Sequence, residues 1–384
     1  MCPGRGSAEY TIENLRLLTD VELVRQHPGM YIGSTNSRGL HELLFSLVTD
    51  SLHEMMRASG RTLSVTLHAD NSVAIVDDRD PVFEEPSLES VFTQWHGHGP
   101  DTDGRYRGAY LTANALSAEL NVRVRTDGSV YQHTFRRGVT HAVLQSGGPP
   151  NDRGLTIRFR PDPLIFGELQ FDSEMIRDML RQHAFLHSGV RISFTDESGG
   201  AHDEFEFADG IRAYVQLLNT TRTPIHPDVI VIRGEQTGID YEAGLQWCEE
   251  DEICTSFAND YYLPTGGTHV HGTRTGVTKA INHFIRTRMI GERPVKGDDA
   301  RAGLTAIVSV RLEAPIFISA ARTNLGNPEA ELVLASGVER ELLRHFEVNP
   351  EVAERVVRHA ILERDLREAA HAARKSLRLK KRPR

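Results

Sequence analysis

Apolar residues recur at three-to-four spacing between residues 38 and 58. Leu40, Leu43, Leu44, Leu47, Val48, Leu52 and Met55 make one face of a helix there, and Ser46, Asp50, His53 and Glu54 make the opposite stripe. A shorter helix is expected over 16–26, capped by Thr19 or Asp20 and ended by Pro28-Gly29. Two runs, Arg61 to His68 and Val73 to Val76, flank Asp70-Asn71-Ser72 and read as a hairpin with Asp77 and Asp78 at its exit. From Pro81 to Tyr110 the chain is rich in Gly, Pro, Asp and His, a loop region, and a helix is expected to follow from Leu111 to Leu120. Strands then run to Phe159, followed by a helix near 173–187 and a strand at 189–195. The character changes at Thr223-Pro224-Ile225-His226-Pro227, read as a domain joint. Beyond it come strands at 229–233, 243–248 and 304–311, a helix at 272–289 and charged terminal helices. The chain therefore reads as α+β, with one domain over 1–222 and a second over 223–384.

Composition changes this picture little. With 384 residues, 39% hydrophobic and 25% charged, the chain can bury real cores. No apolar run nears the roughly 18 residues that span a bilayer, and the first 30 residues lack an apolar signal core, so no membrane partner and a cytoplasmic location are expected. Three cysteines, Cys2, Cys248 and Cys254, without Cys-x-x-Cys spacing argue for neither a disulfide framework nor a zinc site. A net charge of −9 speaks against non-specific nucleic-acid binding by the whole molecule. The exception is the basic run from Lys375 to Arg384, read as the solvated end of the last helix or as a weak contact to DNA or a topoisomerase.

Several motifs, in order along nearly the whole chain, resemble the ATPase region of DNA gyrase B, of the type IIA topoisomerase and GHKL group. They are His27-Pro28-Gly29-Met30-Tyr31-Ile32-Gly33, Gly39-Leu40-His41, Asp77-Asp78, Asn114-Ala115-Leu116-Ser117 and Thr223-Pro224-Ile225-His226-Pro227. Leu245-Gln246-Trp247, Gly266-Gly267-Thr268-His269 and Gly297-Asp298-Asp299-Ala300-Arg301 complete the series. The resemblance implies a Bergerat-type (GHKL) α/β sandwich followed by a ribosomal-S5-type transducer domain. The metal-binding TOPRIM domain of a full gyrase B would come later than residue 384, so no DNA cleavage is expected of this chain alone.

The same resemblance shows departures where ATP is handled. The family's general base, a glutamate, corresponds to Ser46, which cannot accept a proton at neutral pH; such a base contributes roughly 100- to 10,000-fold. The magnesium-ligating asparagine corresponds to Asp50, still an oxygen donor. Two positions that are both Asp in the family are Thr49 and His53 here. The adenine-reading aspartate is kept as Asp77, but its helper threonine is Leu155, and the glycines that let backbone approach the base are replaced by Arg79, Asp80 and Pro81. The glycine-rich phosphate lid corresponds to Asp103-Gly104-Arg105-Tyr106-Arg107-Gly108-Ala109, with His96 and His98 just before it. The transducer's lysine and its glutamine neighbour correspond to Arg322 and Ala320.

Base, base pocket, lid and transducer contact have all changed, so the expectation is a pseudo-ATPase with no ATP or magnesium cofactor and no metal site. The primary reading is a former ATP pocket reused for a small organic ligand, as a cyclase, isomerase or lyase. Asp50, Asp77, His96 and Tyr106 would carry acid–base chemistry, and Ser46, His53, Asp78, Arg79, Asp80, His98, Arg107 and Arg322 would bind. Against it stands a filled pocket whose charges pair off, Glu54 with Arg79 for instance. The alternatives are a non-catalytic gyrase-like regulator or protector of topoisomerase and a divergent ATP-dependent topoisomerase of the gyrase B type. Any homodimer is expected to be independent of nucleotide, with Tyr10 and Ile12 resembling the family's exchanged arm.

Overall fold

The computed structural model describes residues 17–380, apart from 59, 81–86, 96–107, 127, 150–151 and 319–322. In the first half the elements are α1 (Asp20–Gln26), α2 (Gly29–Ile32), α3 (Ser37–Arg57), β1 (Thr62–Leu67), β2 (Val73–Asp77), α4 (Ser87–Thr93), α5 (Gly108–Leu116), β3 (Ser117–Thr126) and β4 (Ser129–Arg136). There follow β5 (Val139–Gly147), β6 (Gly154–Pro161), α6 (Pro163–Phe166), α7 (Ser173–Leu186), β7 (Arg191–Asp196), β8 (Ala201–Phe205) and α8 (Ile211–Leu218). The second half holds β9 (Ile230–Gln236), β10 (Ile239–Trp247), β11 (Ile253–Ala258), β12 (Tyr261–Tyr262), α9 (Thr268–Arg288), α10 (Gly297–Arg301), β13 (Leu304–Leu312), α11 (Pro328–Val348) and α12 (Pro350–Lys380).

The first eight strands form one sheet in the order β5-β4-β3-β6-β2-β1-β7-β8, antiparallel except for the β1–β7 pair. The apolar stripe of α3 lies on this sheet, with Leu40, Leu44, Leu47, Val48, Leu52 and Met55 fully buried. A five-stranded sheet, β12-β11-β13-β10-β9, carries α9, α11 and α12 on its own core. A third, smaller cluster joins the two: Phe185 and Leu186 from α7 pack with Ile211, Tyr214 and Val215 of α8 and with Phe257 and Ile307 of the second sheet. Thus α3 is held on one side by the first sheet and approached on the other by the second half of the molecule.

Thr19 caps α1, its hydroxyl accepting from the Glu22 N–H while the Glu22 carboxylate accepts from the Thr19 N–H. The helix ends before Pro28-Gly29 as expected, and Gly29 opens the short α2. The helix expected to reach Leu120 stops at Leu116, and Ser117 starts β3. Ala118, Glu119 and Leu120 favour helix locally, but pairing with β6 from Ser117↔Pro161 onward, through a bulge at Ser117/Glu119, overrides that preference. Cys248 is buried and the burial of Cys254 pushes its thiol up to about 11, so both behave as small apolar groups. No helix among the described residues is long and apolar enough to cross a membrane.

Candidate functional site

Asp50 and Glu54 of the polar stripe of α3 act on the groups around the exit of β2, where Asp77 pairs across the sheet with Leu155 of β6. The Asp77 Oδ1 accepts from the Leu155 and Arg79 N–H groups, each at 3.4 Å, while Oδ2 is buried without a hydrogen-bond partner. Burial pushes this carboxyl up to about 6, against the opposing pull of the Arg79 charge and of the two N–H groups. Next to it Gly154 holds a φ of +138°, and a Cβ there would lie 2.2 Å from the Asp77 carbonyl oxygen.

Arg79 decides what this pocket contains. Its side chain is 1% exposed and turns inward beside Asp77, Nε lying 3.3 Å from Oδ1. Its Nη2 donates to the Tyr110 hydroxyl at 3.1 Å, and that buried hydroxyl is itself pushed up to about 12 by burial. The carboxylate of Glu54 adds favourable charge to Arg79, and that of Asp50 acts on Tyr110. The guanidinium is therefore a strut inside the pocket rather than a group displayed to a ligand. Ser46 is buried too, donating to the Glu42 Oε1 one turn earlier at 3.5 Å. The cavity that Ser46 lines, with Thr112 and Tyr261, has a volume of about 10 Å³. That is room for about one water.

Three other residues expected at this pocket do different work. Asp78 accepts from the Arg61 and Thr62 N–H groups at 2.8 and 3.0 Å, fixing the start of β1. Asp80 is exposed and pairs with Arg153 at 2.6 Å. His53 turns away to the second half of the chain, its Nε2 lying 2.6 Å from the Asp260 Oδ2. His96, His98, Tyr106, Arg107 and Arg322 lie outside the described residues, as do Asp103, Tyr10 and Ile12.

Sequence reasoning missed the cluster that His53 joins. Asp260, fully buried in the turn between β11 and β12, lies 3.0 Å from the His187 Nε2 and accepts from the Arg311 Nη2 at 3.2 Å. Burial opposes its charge, but Arg311, then His187 and His53, hold its carboxyl well below the usual range. His183, one turn before His187 on α7, is neutral, pushed down to about 3 chiefly by burial. The signal available in the sequence was the i, i+4 spacing of His183 and His187.

Comparison with known proteins fits this architecture. The DNA gyrase B family model matches residues 210–376. The gyrase B proteins of Haloferax volcanii and Streptococcus pyogenes are each 35% identical, over 95% and 97% of this chain, and that of Archaeoglobus fulgidus is 34% identical over 96%. The 43K ATPase domain of Thermus thermophilus gyrase B, solved with an aminocoumarin, superposes with a TM-score of 0.80 at 28% identity, covering 93% of this chain and 98% of that one. Nearly the whole chain is thus similar to the ATPase region of DNA gyrase B. It has that region's α+β fold, a Bergerat-type sandwich followed by a transducer-like domain. It spans about three fifths of the length of the curated gyrase B relatives, 61% for Haloferax volcanii and 60% for Streptococcus pyogenes. The β2–β6 register puts Leu155, which the resemblance matches to the helper threonine, opposite Asp77. Of the described groups that the resemblance assigns to ATP with magnesium, Asp77 is turned to Arg79 and Ser46 to Glu42.

Proposed function

We propose that this chain is a gyrase B-like pseudo-ATPase that acts without catalysis, as a regulatory or protective partner of a topoisomerase. The observation that carries this reading is the Arg79 guanidinium, buried against Asp77 and Tyr110 where the family's pattern places the base of ATP. Reuse of the same pocket by a metabolite loses its support on the same ground. Acid–base chemistry needs groups that a ligand can reach, and Asp77 and Arg79 are turned toward each other. The scaffold meanwhile stays intact, with identity to gyrase B spread over 95% of the chain, so surfaces that recognise topoisomerase partners are the part best placed to have survived.

The same identity also favours a second reading, a divergent ATP-dependent topoisomerase of the gyrase B type in which Arg79 swings out when nucleotide arrives. Calorimetric titration with ATP and magnesium separates the two. The pseudo-ATPase reading expects no saturable heat and no phosphate release. Phosphate release that disappears in Asp77→Asn would reject it in favour of the second reading. With binding absent, adding the chain to an active gyrase is expected to change supercoiling, whereas an unchanged rate at a molar excess would remove the partner role. Light scattering is expected to give one mass with and without a non-hydrolysable ATP analogue.

A further inference from the structure

Between the two halves of the molecule lies a cavity of about 500 Å³, walled by α3, α7 and the β11–β12 turn. It is separate from the Asp77 pocket and fifty times the size of the space beside Ser46. Its volume falls within the roughly 300–1,000 Å³ typical of small-molecule sites, and such sites favour domain interfaces. Most of its lining is apolar or aromatic: Phe45 from α3, Met179 and Leu186 from α7, Phe257 and Tyr261 from the second sheet. Aromatic faces and a thioether on facing walls suit a flat ring system.

The polar groups narrow the choice. His183 lines the cavity while 4% exposed, and its Nδ1 is buried without a hydrogen-bond partner. Among the acids, Asp260 is held by Arg311, His53 and His187, Asp178 at the rim pairs with Arg181 at 2.7 Å, and Glu42, which accepts from the Ser46 hydroxyl, keeps its negative charge one turn below Arg38. Arg38, exposed in the first turn of α3, has no carboxylate partner among the described residues, and the N-terminal end of that helix adds positive potential beside it. Arg38 is thus the cation at the mouth, more exposed than the Glu42 carboxylate behind it, above an aromatic interior.

We infer that this interdomain cavity is a binding site for a small aromatic anion, an arene carboxylate or sulfonate. Its rings would lie between Phe45, Met179 and Phe257, its anionic group at Arg38 and a polar edge at His183. Because three elements from both halves form the walls, an occupant binds this arrangement of the two halves in preference to others. The inference stands apart from the fate of the nucleotide pocket.

Fluorescence titration of the full chain tests it with 1-anilinonaphthalene-8-sulfonate as the aromatic anion and N-phenyl-1-naphthylamine as its neutral counterpart. One saturable site is expected, undisturbed by excess ATP with magnesium. Met179→Trp, which fills the cavity, is expected to weaken both probes about tenfold. Arg38→Gln is expected to weaken the anion about fivefold and leave the neutral probe unchanged. If circular dichroism shows Met179→Trp misfolded, Gln182→Trp fills the cavity from the same helix and is read in its place. Displacement by ATP, binding that no cavity-filling variant alters, or an equal response of both probes to Arg38→Gln would overturn the inference.

Discussion

Arg79 and Asp77 form a pair in which each makes the burial of the other tolerable. Removing one partner of a buried pair strands the second charge, which costs about 3–5 kcal/mol, although Asp77 can relieve part of this by taking a proton. Arg79→Met is therefore expected to lower stability by about 3 kcal/mol, and adding Asp77→Asn in that background to restore most of it. Urea unfolding of the two single variants and the double variant checks this, and strictly additive losses would show that the pair is not coupled. The sequence made Asp77 legible because a motif marks it, and it marked Arg79 as a residue that replaces glycine. What it did not show was where the guanidinium points. A side chain of that length can snorkel to water or fold inward, and the hydroxyl of Tyr110, which drew no notice as a partner, is one of the groups that turn it in.

Three elements distant in sequence meet at Asp260. Asn259 and Asp260 take positive φ values of 46° and 65°, a left-handed pair that Asn and Asp tolerate better than most residues, and this turn aims the carboxylate at α3 and α7. Asp260→Asn keeps the shape and removes the charge that His53, His187 and Arg311 share. Scanning calorimetry is expected to resolve the wild-type transition into two in this variant, because the joint between the halves fails before either core; a single transition at an unchanged temperature would refute it. The long elements of the fold were readable from periodicity, as with α3, which spans one residue more at its start and one fewer at its end than expected. The end of α5 was not, since a strand partner forty-odd residues away decided it, and neither was the joint, in which His53 and Asp260 touch from 207 residues apart.

For the whole molecule, pH is the variable that reads out buried histidine. His183, His226 and His269 are pushed down to about 3, 4 and 4, with burial the leading cause in each. His226 is fixed as a neutral ring, in contact with the Asp228 carbonyl through Nδ1 and accepting from the Trp247 N–H at Nε2. In the unfolded chain these imidazoles take up protons near pH 6.5, so the stability they contribute is complete above that value and is lost as pH falls toward 4. Asp77 runs the other way, since a carboxyl at about 6 binds its proton in the native state first and offsets one imidazole between pH 6 and 4. For these four groups the net uptake on unfolding is about two protons, a loss of about 2.8 kcal/mol per pH unit near pH 5. Urea midpoints at pH 7.5, 6 and 5 measure it, and a midpoint that holds steady or rises on acidification would contradict the assignment of neutral rings.

The bond from Ser46 to Glu42 carries a consequence for mutational history. A glutamate returned to position 46 would stand one helical turn from Glu42, two like charges on a partly buried face, each raising the proton affinity of the other. Clearing the base pocket by shortening Arg79 would at the same time leave Asp77 without its counter-charge. On the pseudo-ATPase reading proposed above, each single step back toward a hydrolytic site is thus disfavoured before the next can repay it, and the substitutions would act as a ratchet.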